Sequence, residues 1–177
     1  MPERAVTGVL LFGKLPVHGD FVARGMTAAE REWWDERLSI GIARIRALTD
    51  EGFEATCDII PPWRFRLRPG MQMISGAIAL SIDRSGRRFP VIVARRDAQG
   101  GAACEAALRR GLAERLDADA IVAAVGAQSD ADDAPVTTGW WCASADAEPL
   151  LQVDPAAALP LMLPTVDPAA AGAEDEE

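Results

Sequence analysis

Apolar and polar positions along the chain divide it into short, well-marked segments. Val9, Leu10, Leu11 and Phe12 form an unbroken apolar run between glycines, the pattern of a buried strand. Lys14 to Arg24 reads as a loop, punctuated by Pro16, Gly19 and the following Gly25. Thr27-Ala28-Ala29-Glu30 has the spacing of a capping box, a hydroxyl facing first-turn amides and a carboxylate reaching back. The helix it opens has Trp34, Leu38, Ile42, Ile45 and Leu48 on one face and a stop near Gly52.

After Pro61-Pro62, Trp63, Phe65 and Leu67 alternate with Arg64, Arg66 and Arg68, the period of a half-buried strand ending at Pro69-Gly70. Ile78, Leu80 and Ile82 alternate with small residues, and Phe89 to Ala94 is again strand-like. The two should pair as an antiparallel hairpin around Asp83-Arg84-Ser85-Gly86-Arg87-Arg88. Residues 102–125 predict two helices, one with Leu108, Leu112 and Leu116, the next with Ile121, Val122 and Val125. Gln128 to Pro135 reads as a polar, acidic loop, Thr138 to Ala143 as a last strand around Trp140-Trp141, and the final residues as disordered. The order predicts an α+β fold, a central, mainly antiparallel β-sheet with helices packed on it. One domain over 1–163 and an acidic tail over 164–177 are expected.

Charge adds an asymmetry. The net charge is -9, yet residues 1–115 hold all 18 Lys and Arg against 14 acids, while residues 116–177 hold 13 acids and no Lys or Arg. An acidic half would repel phosphates, so nucleic acid is not an expected partner. No run of 18 apolar residues and no secretory leader pattern occur, so no direct membrane insertion is expected. Cys57, Cys104 and Cys142 are too scattered for a zinc site or a disulfide framework, which suits a reduced cytoplasm.

Gly8 to Lys14 spells the outline of a phosphate-binding loop, G-x-x-x-x-G-K. Its four inner residues are bulky and apolar, Leu15 stands where Ser or Thr would hold magnesium, and Pro16 leaves no helix start. No nucleotide and no other cofactor is expected. His18, the sole histidine, lies two residues from Asp20, which suggests a general base. With no nucleophile motif nearby, the expected role is a shaped loop in which Gly19 supplies unusual backbone angles and Asp20 caps amides. In the second charged turn, Asp83 should bond the turn amides, with Arg87 or Arg88 pairing to Asp83 or Asp20. The Arg64, Arg66, Arg68 stripe reads as the solvated face of an edge strand, or as a docking strip for an acidic segment. Of Trp33, Trp140 and Trp141, at least one is a candidate for exposure, though core is the first expectation.

These strings, L-F-G-K-L-P-V-H-G-D-F-V-A-R-G, W-W-D-E-R-L, W-R-F-R-L-R-P-G and S-I-D-R-S-G-R-R-F-P-V-I-V-A, occur in the order seen in the TagF/ImpM family of type VI secretion-associated proteins, which the chain resembles. The likeness is strong over about residues 6–95 and weaker around Trp140-Trp141. It implies a cytoplasmic accessory protein that represses secretion post-translationally, without enzymatic activity, acting with a forkhead-associated scaffold protein. Carried over by position, the motif residues are Gly13, Lys14, Pro16, Gly19, Asp20 and Phe21, with Asp83, Arg84, Gly86, Arg87, Phe89 and Pro90; His18 lies within the first string. We expect the two loops to lie side by side, with Asp20 paired to Arg87 or Arg84. The alternative is a small hydrolase or ligand-sensing domain centred on His18, Asp20 and Asp83.

Overall fold

The structure, a computed structural model, describes residues 8–126, 135 and 137–164. Seven strands form one antiparallel sheet: β1 (Val9–Gly13), β2 (Val22–Arg24), β3 (Trp63–Leu67), β4 (Ile74–Ile82), β5 (Arg88–Arg95), β6 (Gly139–Trp141) and β7 (Leu150–Leu151). Their order across the sheet is β2-β1-β5-β4-β3-β6-β7. The helices α1 (Ala28–Thr49), α2 (Phe53–Ile59) and α5 (Pro155–Leu161) serve one face, and α3 (Gly101–Ala113) and α4 (Ala118–Val125) cover the other. The predicted fold class is thus the observed one. The acidic loop, apart from Pro135, and the residues after 164 lie outside the described residues.

Alternation along each strand builds two cores. Leu10, Phe12, Phe65, Ile78, Ile92 and Trp140 face α1, while Leu11, Ala77, Ala79, Val91 and Val93 meet Leu108 and Ile121 of α3 and α4. Because both faces are covered, the central runs are continuously apolar, which accounts for the unbroken Val9–Phe12 pattern. Trp140 and Trp141 point to opposite faces and both are buried. Trp34, Phe65 and Trp140 pack in sequence as tilted ring pairs, with centroids 5.6 and 5.0 Å apart. Trp33 is half-buried with the Arg37 guanidinium 4.3 Å over its ring. No tryptophan is fully exposed, in keeping with the first expectation of core positions.

α1 starts where its capping box predicts. Thr27 Oγ1 accepts from the Glu30 backbone N–H at 3.2 Å, and the Thr27 N–H donates to Glu30 Oε2 at 2.8 Å. Arg96, at the end of β5, donates to both oxygens of Glu30 at 2.6 and 3.0 Å. That guanidinium, with the Thr27 groups and against a desolvation cost, lowers the Glu30 carboxyl to about 2. A carboxyl depressed on folding stabilises the native state fully above its unfolded value, and the contribution fades as pH falls toward the folded one. Glu30→Gln is therefore expected to flatten the loss of stability between the ordinary carboxylate value and about pH 2, measured as urea midpoints across an acid series. An unchanged slope would contradict the pairing.

Several details depart from expectation. Leu48, assigned to the buried face of α1, is 67% exposed. The helix ends at Thr49, three residues before Gly52, and Asp50, at φ 44°, turns the chain toward α2. β2 occupies the last residues of the predicted loop, pairing with β1 at Leu11 to Gly13. β3 is an interior strand between β4 and β6, not an edge. Arg64 of this strand donates to Glu105 of α3 at 2.6 Å, and Arg68 lies beyond the strand and is exposed. β7 and α5 lie beyond Pro149, in a stretch rich in Ala, Pro and Leu for which no element is predicted. Asp154 caps α5, and Leu159 packs where a side chain at Gly41 of α1 would collide.

Candidate functional site

Both charged loops sit at one end of the sheet because β1, β4 and β5 are neighbours and their ends coincide there. The turn from Asp83 to Arg87 joins β4 to β5, and the β1–β2 loop lies against it. The expected juxtaposition is therefore present. The expected bonds of Asp83 to its turn amides and to Arg87 form, whereas the expected pairing of Asp20 with Arg84 or Arg87 does not. Asp20 instead accepts from its neighbour's Phe21 N–H at 2.8 Å, and is exposed.

The hub is Asp83, whose side chain is fully buried. Its Oδ1 accepts from the backbone N–H groups of Ser85 and Arg87 at 2.8 and 3.0 Å. Its Oδ2 accepts from Lys14 Nζ at 3.1 Å and Arg87 Nε at 2.7 Å. Burial pushes this carboxyl up, and the Arg87 N–H, the Lys14 and Arg87 cations and the Ser85 N–H outweigh it, holding it well below the usual carboxylate range. Asp83 is thus ionised and saturated with donors at neutral pH, with no lone pair left over for a substrate proton.

Cations hold the facing loop through its carbonyls. Arg115 reaches Pro16 O at 3.5 Å, Arg84 Nη2 donates to Val17 O at 2.5 Å, the Arg84 N–H donates to His18 O at 2.9 Å, and Arg87 Nη2 donates to Gly19 O at 2.9 Å. Four consecutive carbonyls are therefore taken by arginines. Backbone is held with little demand on side chains, so the loop conformation is set while its tip stays free to vary.

Aromatic packing completes the site. Phe21 stacks on Phe12 at 5.8 Å and meets Phe89 edge-on at 4.8 Å. The Lys14 ammonium lies 4.9 Å from the Phe21 centroid. Phe21 is nonetheless 42% exposed. It walls a groove of about 470 Å³ against α1, rimmed by Asp20, Arg31, Glu32 and Asp35. Gly13, at φ 138°, abuts β5, and a Cβ there would stand 2.6 Å from Val91 Cα and nearer still to Pro90 O. Gly86, at φ 80°, makes the hairpin turn. Gly19 has no such angle and open space around it, so the unusual backbone expected of it belongs to Gly13 and Gly86.

The side chains of His18, Asp20 and Asp83 make no hydrogen bond to one another. His18 is joined to this network through its backbone, by its N–H to Leu15 O at 3.0 Å and its carbonyl to Arg84. Its Nε2 is buried with no hydrogen-bond partner, and neither Asp20 nor Asp83 bonds the ring. Arg88 does not join the hub either; it forms a two-pronged pair with Asp58 of α2 at 3.1 and 3.0 Å. The pairing of Arg115 with the loop was missed, since no local pattern brings residue 115 to residue 16.

An antiparallel sheet covered by helices on both faces, with two charge-locked loops at one end, defines a compact α+β domain that presents a shaped loop surface. Residues 10–134 match the family described as the TagF N-terminal domain, type VI secretion system-associated, and the chain belongs to that family. Among solved structures it is similar to the crystal structure of PA0076 from Pseudomonas aeruginosa PAO1, determined at 2.05 Å, with 30% sequence identity and a TM-score of 0.58. That likeness covers 67% of this chain and 61% of the other, so the chain spans less than two thirds of the solved protein's length. No curated protein matches the chain. The protein is thus type VI secretion system-associated, and among the described residues no helix is long and apolar enough to cross a membrane.

Proposed function

We propose that the chain is a cytoplasmic, non-enzymatic regulator that represses type VI secretion after translation, by binding a component of the apparatus. The partner proposed is the forkhead-associated scaffold protein. The observation that carries this reading is the use of Asp83: its carboxylate is spent on Lys14, Arg87 and two amides, all serving to hold one loop against another. Such a hub shapes a surface rather than handling protons. What the surface offers is Phe21 and Asp20 at the loop tip, a half-exposed aromatic ring of the kind enriched at interfaces beside a charge.

The hydrolase reading requires His18 to exchange protons with a carboxylate. His18→Ala separates the two. The expected result is unchanged repression in a secretion assay in the native host, with an unchanged thermal midpoint. Lost repression in a folded His18→Ala protein would overturn the non-enzymatic reading.

A further inference from the structure

A second feature lies at this same end of the sheet. β3 begins at Trp63, opposite Ile78, because Pro61 and Pro62 precede it and cannot supply ladder donors. β4 runs on to Ile82, paired with β5 throughout. Its last residues therefore have a strand on one side and none on the other. The hairpin closes with the Asp83 N–H on Arg87 O, which places the odd residues Ser81 and Ala79 in hydrogen-bonded pairs with β5. Pro90, which has no N–H, stands opposite Leu80, in agreement. The alternation of an antiparallel ladder then turns the N–H and C=O of Leu80 and Ile82 away from β5, toward the open side.

That open side is a cleft of about 430 Å³. Ile60 and Leu112 give it apolar walls, and Arg88 and Asp58 neutralise each other on one flank. Arg115 stands on its rim. It occupies the residue after the α3 C-cap, where Leu116 N–H bonds back to Gly111 O, and takes φ 55°. Glycine is the usual residue there, and an arginine carries backbone strain of about 1 kcal/mol or more. Among the described residues it has no carboxylate partner, only the long contact to Pro16 O. A stretch of backbone with no strand beside it, where Ser81 Oγ makes a long 3.4 Å bond to Ile82 O, a slot alongside and a cation with no carboxylate partner among the described residues specify an extended chain with a negative side chain.

We propose that the Leu80–Ile82 edge of β4 takes an extended segment of another protein as an added strand, and that this segment carries a carboxylate facing Arg115. The inference rests on the reading of this end of the sheet as a partner surface, and names the form the partner takes there. An NMR titration of the full chain with two capped pentapeptides tests it, one of sequence Thr-Val-Glu-Val-Thr and one with lysine at the centre. The glutamate peptide is expected to shift the Leu80 and Ile82 amides and to bind at least about tenfold more tightly than the lysine peptide. Arg115→Gly removes the guanidinium, and with it the long contact to Pro16 O, at a position whose backbone suits glycine; a melting curve equal to the parent's checks the fold, and the preference for glutamate should vanish.

Absence of shifts at Leu80 and Ile82 with millimolar peptide, or a preference undiminished in Arg115→Gly, overturns the proposal. Hydrogen exchange with the purified forkhead-associated scaffold separates this inference from the choice of partner. A scaffold that fails to bind while the peptides shift β4 sinks the partner and leaves the added strand standing. A scaffold that binds without slowing exchange at Leu80 and Ile82 sinks the added strand.

Discussion

Asp83→Ala is expected to destabilise the protein by about 3–5 kcal/mol, the range for breaking a buried ion pair by removing one partner. At this size that lowers the thermal midpoint by roughly 10 °C. The carboxylate satisfies four donors at once, and its loss leaves the Lys14 ammonium, only 8% exposed, with the Phe21 ring and no anion. Two backbone N–H groups of the turn lose their acceptor in the same step, each a further desolvation penalty. Lys14→Met should cost less, because Asp83 keeps Arg87 and both amides. The double variant Asp83→Ala with Lys14→Met is expected to be more stable than Asp83→Ala alone, since no buried cation is left stranded. Chemical denaturation of the four proteins measures the coupling. Strict additivity would mean that the two residues do not act as a pair.

Gly13→Val is expected to be at least as damaging, above about 4 kcal/mol, and to prevent folding at 37 °C. Two independent costs combine. The backbone at φ 138° is a region reserved almost wholly to glycine, and the added side chain would enter the β5 backbone at Pro90 and Val91. Relaxing the first by a peptide rotation shifts Lys14 away from Asp83, so the hub fails as well. Gly19→Ala is the matched control: it lies in the same loop with ordinary φ and open space, and should leave stability near the parent. Circular dichroism melts of both variants check this. A stable Gly13→Val protein would refute the close contact between β1 and β5.

Much of this architecture was legible in local pattern. The capping box at Thr27, the alternation of Trp63, Phe65 and Leu67, the hairpin around Asp83 and the two helices after residue 101 each carry their signal within a few residues. Features set by distant contacts were not legible. β2 and β7 have three and two residues, too few for a period. The seven-residue α5 is stabilised by Gly41 and Arg44 of α1, more than a hundred positions away. The arginine stripe has the alternation of an edge strand, and only the addition of β6 and the Glu105 pairing make it interior.

The candidate site divides the same way. That two glycine-containing charged loops meet follows from each flanking a strand of one small sheet. Which aspartate takes the arginines does not follow. Asp83 prevails over Asp20 because an Asx turn fixes its carboxylate over its own hairpin amides, at the sheet end where Lys14 emerges. Asp20 lies at an exposed loop tip whose side chain is used locally. The partial phosphate-loop string is explained by packing, since its inner residues Leu10, Leu11 and Phe12 are core.

The central claim is that this locked pair of loops displays Asp20 and Phe21 to a protein partner. A binding isotherm of the purified forkhead-associated scaffold against the parent chain and the variant Asp20→Lys with Phe21→Ala tests it most directly. Neither side chain bonds Asp83, and although Phe21 lies 4.9 Å from the Lys14 ammonium, the Asp83 bonds to Lys14, Arg87 and the turn amides are untouched, so the variant should keep its fold, checked by its melting curve. The account predicts binding weakened by at least about tenfold, as expected for an aromatic anchor and its adjoining charge. An affinity equal to the parent's in the folded variant would contradict it.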